Sequence, residues 1–342
     1  MDSRRVHRVG TSSLAITLPS KWVHEVGIEP GDSLVVIREG ERSLVIFPSP
    51  GDRSMGSQTL IEVSPTLTAA ALERLLIGAY VDGFESIVVR GHERLTTDLL
   101  SSLRKAVSRL TGMAMVESGD DQVVVRVLLD PERCPLRDLL QQMLGLTEVT
   151  VGKVPSLIDK RDSQVAREVL ALGEHLDQLY YLMVRLLLMA MADRGLATRL
   201  GVAFPQQIIG FRLIAKALEE IGDSLETVAR MVLVTEGMEW GIQGTVMKPL
   251  LGFCERINGH LRKGVSAFLE LSRADAEEVL AGIQEMESEK VHFVEQVLLH
   301  APTPRSASVL TVSAMALRDV CRFGRVIGEI ALNNSLRSPV PP

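Results

Sequence analysis

Apolar residues recur at helical spacing through the second half of the chain. Between Gln206 and Val232, the residues Ile214, Leu218, Ile221, Leu225, Val228 and Val232 draw one apolar stripe along a long amphipathic helix. Pro205 precedes it, where a missing N–H costs nothing. An earlier helix is expected over Asp162–Ala192, with Val165, Val169, Leu172, Leu176, Leu179, Met183 and Leu186 turned inward. Further helices are expected over Thr245–Leu271, Ala274–Leu299 and Arg305–Asn333, with Pro302 and Pro304 parting the last two. The first half alternates instead. Ser13–Leu18 reads as a strand, Lys21–Val26 as a short helix closed by Gly27, and Ser33–Arg38 with Ser43–Phe47 as a hairpin across residues 39–42. A glycine- and serine-rich stretch follows. Strands are then expected at Thr59–Val63 and Ser86–Val89, and helices at Thr66–Tyr80 and Thr96–Leu110, the latter capped by Thr97. A hairpin of Met113–Glu117 with Gln122–Leu128 comes next, then a short helix over Cys134–Leu146 and a boundary at Lys153–Ser156.

These elements imply an α+β multidomain chain. The expected divisions are a β-rich N-terminal domain at 1–50, a linker at 51–58 and a small α/β domain with a trailing helix at 59–157. A helical domain at 158–336 and a tail at 337–342 complete it. The N-terminal domain is too small to bury much core alone, so pairing with a second copy, a homodimer, is expected. Composition fits bundles: aromatics make up 4% of the chain and the net charge is −6, so no global basic field exists. Three scattered cysteines, Cys134, Cys254 and Cys321, have no metal-site spacing and point to a reducing, cytoplasmic setting. The most apolar run, Leu179–Ala192, is short and carries Arg185, so it reads as a buried core helix rather than a membrane insertion. No nucleotide loop and no nucleophile with a placed base is visible, so an enzyme is not expected.

Charge is segregated inside the N-terminal domain. Arg4, Arg5, Arg8 and Lys21 stand against Asp2 alone, while residues 23–48 are acidic on balance. Doubled in a dimer, the basic side could contact phosphates, with Ser12 and Ser13 as further donors or as turn formers. The words Val9-Gly10-Thr11-Ser12-Ser13, Leu18-Pro19-Ser20-Lys21-Trp22 and Gly31-Asp32-Ser33-Leu34-Val35-Val36 resemble the AbrB/SpoVT-type swapped-hairpin domain, in the form fused to archaeal PhoU-like chains. That resemblance implies a dimeric DNA-binding β-barrel. A dimerisation barrel without DNA binding is the alternative.

On the long helix, Glu219 and Asp223 lie four residues apart beside the stripe. Two carboxylates at that spacing offer hard oxygen ligands to a cation. The plainer reading is a solvated face, with Lys216, Glu220, Glu226 and Arg230 forming i,i+4 ion pairs. The run Ala217-Leu218-Glu219-Glu220-Ile221-Gly222-Asp223, with Thr227-Val228-Ala229 after it, resembles the signature helix of PhoU proteins, regulators of phosphate uptake built from two three-helix repeats. The resemblance implies a divalent or trivalent metal ion at Glu219 and Asp223. On the partner helix, Glu174-His175-Leu176-Asp177 makes Asp177 a third ligand and Glu174 a fourth.

A shift of 99 residues lays this helix on the last one: Pro205 on Pro304, Ala217-Leu218 on Ala316-Leu317, Ile221 on Val320 and Val228 on Ile327. The acids invert. Glu219 falls on Arg318, Asp223 on Arg322 and Glu226 on Arg325. Guanidinium groups cannot ligate a cation, so a second metal site is expected to be lost. The three arginines would then pair with acids of a neighbouring helix or subunit, or bind an anion such as phosphate or an acidic protein surface. Function is expected to be phosphate-uptake regulation through DNA, with the phosphate transporter's ATPase or a signalling protein as partner of the bundle. The alternative is an adaptor acting by protein contact alone.

Overall fold

The computed structural model describes residues 3–10, 12–39, 43–48, 57–160, 162–235, 244–299 and 304–337. The hairpin turn expected at 40–42, all but the end of the expected linker, Pro302 and most of the expected tail lie outside them. The chain divides into two compact units, 1–56 and 57–342.

The first unit holds β1 (His7–Val9), β2 (Ser13–Ala15), α1 (Ser20–Val26), β3 (Leu34–Glu39) and β4 (Ser43–Pro48). β1 pairs antiparallel with β2, and β3 with β4, as two separate two-stranded sheets. Gly27 caps α1 at φ +73°, a left-handed conformation that favours glycine. The strand expected to reach Leu18 stops at Ala15, because β1 is only three residues long and offers no ladder partner beyond His7. In a single chain the expected barrel is therefore two open sheets. Nothing in β1, β2 or α1 is buried, and Val6, Val9, Leu14, Ile16, Val36 and Leu44 are each more than half exposed.

The second unit opens with an α/β layer: β5 (Gln58–Val63), α2 (Ala69–Val81), β6 (Ser86–Gly91), α3 (Thr97–Ser108), β7 (Met113–Ser118) and β8 (Gln122–Val127). The sheet order is β5-β6-β8-β7, with β5 and β6 parallel across α2 and the other pairs antiparallel. Ile61, Leu72, Leu76, Ile87, Leu103 and Val123 meet in its core. The cap of α3 is Thr96, whose hydroxyl accepts from the Leu99 N–H at 3.3 Å, and not the expected Thr97. Thr96 has the extended backbone a cap requires, whereas Thr97 is already the first helical residue.

Seven helices follow: α4 (Leu136–Lys160), α5 (Ser163–Ala192), α6 (Arg194–Arg199), α7 (Gln207–Val234), α8 (Gly244–Glu270), α9 (Arg273–Leu299) and α10 (Pro304–Ser335). The expected short helix at 134–146 and the boundary at 153–156 are replaced by one helix, α4, running through Pro155. An interior proline costs about 3 kcal/mol. Burial of Leu140, Met143, Val151, Val154, Leu157 and Ile158 along one stripe offsets that, at about 1.5–3 kcal/mol per large side chain. α4 therefore belongs to the bundle core and not to the α/β domain.

Every pair among α4, α5 and α7 packs together, as does every pair among α8, α9 and α10, and the two sets join through α7–α10 and α4–α8. α7 and α10 are the helices matched by the 99-residue shift. Ile214, Leu218, Ile221, Leu225, Val228 and Val232 are all buried along α7. At the seam between the sets, a Cβ on Gly210 would lie 2.4 Å from Cε2 of Phe268, whose ring stands edge-on to Phe211 at 5.0 Å. Gly210→Ala is expected to lower stability by about 1–3 kcal/mol, the cost of overpacking, measured by denaturant unfolding.

The α/β layer rests on one face of α5, at Asp177, Tyr181 and Arg185, spaced four apart. Arg185 is 2% exposed. Its guanidinium donates to the carbonyl of Tyr80 in the last turn of α2 and, just beyond it, to those of Gly83 at 3.1 Å and Phe84 at 2.9 Å, and lies 5.0 Å from the Tyr80 ring centroid. Arg185→Met keeps the apolar bulk but strands buried acceptors. A loss of about 2–4 kcal/mol is expected in the same unfolding measurement.

Candidate functional site

The sequence places acids on α5 and α7, and close packing brings them together. A Cβ on Gly222 would lie 2.7 Å from the Leu176 side chain, and one on Gly173 would overlap the Glu226 carboxylate. The two glycines let the helices approach until Asp177, Glu219, Asp223 and Glu226 share one groove. Glu174 and His175 are exposed elsewhere on α5. Glu226 is the acid that spacing read only as an ion-pair partner. It does pair with Arg230, at 2.7 Å, and Lys216 pairs with Glu220 at 2.9 Å, as helical spacing predicts.

The groove also contains cations of the chain. Lys216 Nζ lies 2.5 Å from Glu219 Oε2. Arg109, just past α3, donates to Glu73 of α2 at 2.9 Å and to Asp177 at 3.2 Å. Arg109 and Glu73 lie far from the acids in sequence, so no local pattern announced them. Burial raises Glu219 to about 7, with Asp223 and Asp177 adding to the shift against the opposing pull of Lys216. Burial, then the nearby Asp223, raises Asp177 despite Arg109. Burial works against the charge on Lys216, but its hydrogen bonds to Glu219 and Glu220 outweigh that and raise its pKa.

As arranged, the groove does not fit the expected metal ion. Two of the four expected ligands, Glu219 and Asp177, are engaged by Lys216 and Arg109, and Glu174 is exposed to solvent. Among the described residues, no group of three or more His, Cys, Asp or Glu side chains is placed to hold a metal.

On α10 the inverted face is exposed. Arg318 and Arg322 approach Asp319 of their own helix at 3.3 and 3.6 Å, and Arg322 lies 4.4 Å from the Phe323 ring centroid. Among the described residues, Arg325 alone of the three reaches a neighbouring helix, at Glu287 of α9, 3.6 Å away, while also pairing with Glu329. Asp319 sits between the two arginines in sequence, which is why they find an acid without leaving the helix.

In the first unit, Arg4, Arg5, Arg8, Ser12, Ser13 and Lys21 are all exposed. Arg8 lies opposite Leu14 and Val9 opposite Ser13, with Gly10 at φ +70° in the turn between them. Lys21 makes a 3.7 Å pair with Glu25, and Trp22 is half-buried.

Comparison with known families divides the chain in the same way. Residues 8–54 match the model of the antidote-toxin recognition domain of MazE, a bacterial antitoxin, and residues 140–232 match the PhoU domain. A solved structure, PhoU from Pseudomonas aeruginosa, matches with a TM-score of 0.50 and 20% identity, covering 60% of this chain and 96% of that one. The bundle is PhoU-like. The PhoU match begins inside α4, which agrees with the place of that helix in the bundle. A search of curated proteins finds no significant match. Among the described residues, no helix is long and apolar enough to cross a membrane.

The PhoU-like groove predicts a pH dependence. Glu219 titrates near 7 in the folded protein against an ordinary 4.5, so the folded state binds the extra proton between those values. Stability from this group is therefore present at low pH and is lost as pH rises through that window. Glu219→Gln is expected to match the parent at pH 5 and to exceed it at pH 8 by on the order of 1–3 kcal/mol, read from denaturant midpoints.

Proposed function

We propose that the protein is a dimeric, cytoplasmic regulator of phosphate homeostasis that touches DNA through its paired N-terminal hairpins. The observation that carries this reading is the composition of the first unit. It exposes six large apolar side chains and a set of basic residues, while burying nothing in β1, β2 or α1. A second copy is the occupant that would cover the apolar set and double the basic one, since both two-stranded sheets have open edges. The match of residues 8–54 to an antitoxin recognition domain supports the pairing, and the PhoU-like bundle supports the phosphate pathway. The bundle then receives the signal, through the phosphate transporter's ATPase or a signalling protein. A signal there changes DNA contact only if it favours one arrangement of the paired hairpins over another. Both comparisons concern regulatory domains, in keeping with a role other than catalysis.

A second reading, an adaptor that dimerises without touching DNA, draws on the modest size of the basic set and on the engagement of Lys21 by Glu25. Fluorescence anisotropy with duplex DNA at two salt concentrations separates them. Binding that weakens with salt is expected, and the Arg5→Ala, Arg8→Ala double variant should lose at least about tenfold in affinity and flatten the salt slope. Absence of binding at low salt leaves the adaptor.

A further inference from the structure

Four carboxylates, Asp177, Glu219, Asp223 and Glu226, face the α5–α7 groove, and among the described residues of the two helices Lys216 and Arg230 pair with them, while Arg212 is turned to Tyr180. The missing charge comes from outside the bundle. We infer that Arg109 is the groove's counter-ion and that, in supplying it, Arg109 latches the α/β layer onto the bundle. This inference is independent of the regulatory reading above.

The geometry is specific to a guanidinium. Two of its nitrogens serve two carboxylates on different elements, Glu73 of α2 at 2.9 Å and Asp177 of α5 at 3.2 Å. The guanidinium reaches the two acids with separate nitrogens in a fixed fork, whereas an ammonium would have to draw both acids to one nitrogen. Position matters as much. Arg109 follows the last turn of α3, with its own N–H bonded back to Ala106 and Val107, so its backbone is fixed to the α/β layer while its head lies in the bundle. Asp177 and Arg185 lie eight residues apart on α5, about 12 Å along the axis. Two contacts therefore hold one layer at two points, and they differ in kind. Arg185 is sealed from water, whereas the Arg109 side chain is 32% exposed and solvent reaches it. The sealed contact is a permanent anchor, and the wet one is the contact that can open while the layer stays attached.

The latch also accounts for the mismatch between this groove and a metal site. A cation entering among Asp177, Glu219 and Asp223 would have to displace Arg109, so an ion and the closed α/β layer compete for Asp177. An open latch leaves the groove with a net negative charge, and a divalent ion is the simplest probe of that charge.

Full-length parent and Arg109→Gln are titrated with Mn2+ alone by calorimetry, and amide hydrogen exchange is followed in both. Arg109→Gln should bind Mn2+ at least about tenfold more tightly than the parent, and adding Asp177→Asn should erase the gain. Exchange at 108–111 should speed up in Arg109→Gln, while 81–85 beside Arg185 keep their protection. Equal Mn2+ affinity in the two proteins, or unchanged exchange at 108–111, overturns the latch. If Arg109→Gln does not fold, Arg109→Lys, which keeps the charge but loses the two-nitrogen fork, should still show faster exchange at 108–111, and parent-like exchange there overturns the inference.

Discussion

A positive charge sealed inside a protein needs a reason to be there, and Arg185 has one. The carbonyls of Gly83 and Phe84 lie past the last turn of α2 and that of Tyr80 within it, where the helix dipole leaves negative potential. The guanidinium meets the carbonyls of residues 80, 83 and 84 with a planar set of donors. The carbonyls are its direct partners, and the nearby Glu85 carboxylate adds attraction. Everything between the α/β layer and the bundle is referred to this contact. Tyr181 packs against both cores one turn before it, and Gly83 takes a left-handed turn that carries the chain under Met189. The layer is thus tied to α5 by backbone atoms, so its position depends little on which side chains occupy the surface of α2.

The two repeats show how far packing and surface chemistry can separate. α7 and α10 bury equivalent stripes and hold their neighbours at glycine contacts, Gly222 against Leu176 and Gly324 against Ile283. Beside those stripes the charges invert. In the first repeat the acids face a partner helix and are half-buried, so each acid adds to the cost of ionising the next. In the second, the arginines are solvated and each finds an acid nearby, where ion pairs contribute little to stability. The inversion therefore removes electrostatic strain from one repeat and leaves it in the other. A groove that is strained in one place only is a groove that an outside cation, a proton or an arginine from another layer can relieve.

Much of this was legible in the sequence because it is periodic. The α7 stripe, the matching α10 stripe, Gly27 as a cap and the hairpin of β7 and β8 all rest on local spacing, and local spacing survives folding. The ion pairs Lys216–Glu220 and Glu226–Arg230 were legible for the same reason. The expected helix ended at Leu146 with a boundary at Lys153–Ser156, whereas burial on both sides of Pro155 outweighs its one lost hydrogen bond and carries α4 through both. Thr96 was passed over for its neighbour because one residue separates a cap from the first turn. The reading of Glu219, Asp223 and Asp177 as a shared cluster was sound in placing them together. It failed on their partners, since Arg109 is 68 residues from Asp177 and joins it only through tertiary packing.

The first unit poses the opposite problem. Its sequence motifs are strong, yet the folded chain leaves Leu14 and Leu44 about two-thirds exposed. At roughly 25 cal/mol per Å2 of apolar surface, side chains left in that state contribute little to holding two short hairpins together. A two-stranded sheet is marginal in water without a third strand or a covering face. Stability of this unit must therefore come from another surface. On the proposed dimeric reading that surface would be a copy of the same unit, related by two-fold symmetry. The consequence is a division of labour along the chain. The second unit folds on its own core and carries an electrostatically strained groove, whereas the first, on the proposed dimeric reading, would be completed by association. On that reading, a signal passing between them would act on how two chains are arranged, because among the described residues the first unit holds no packed core.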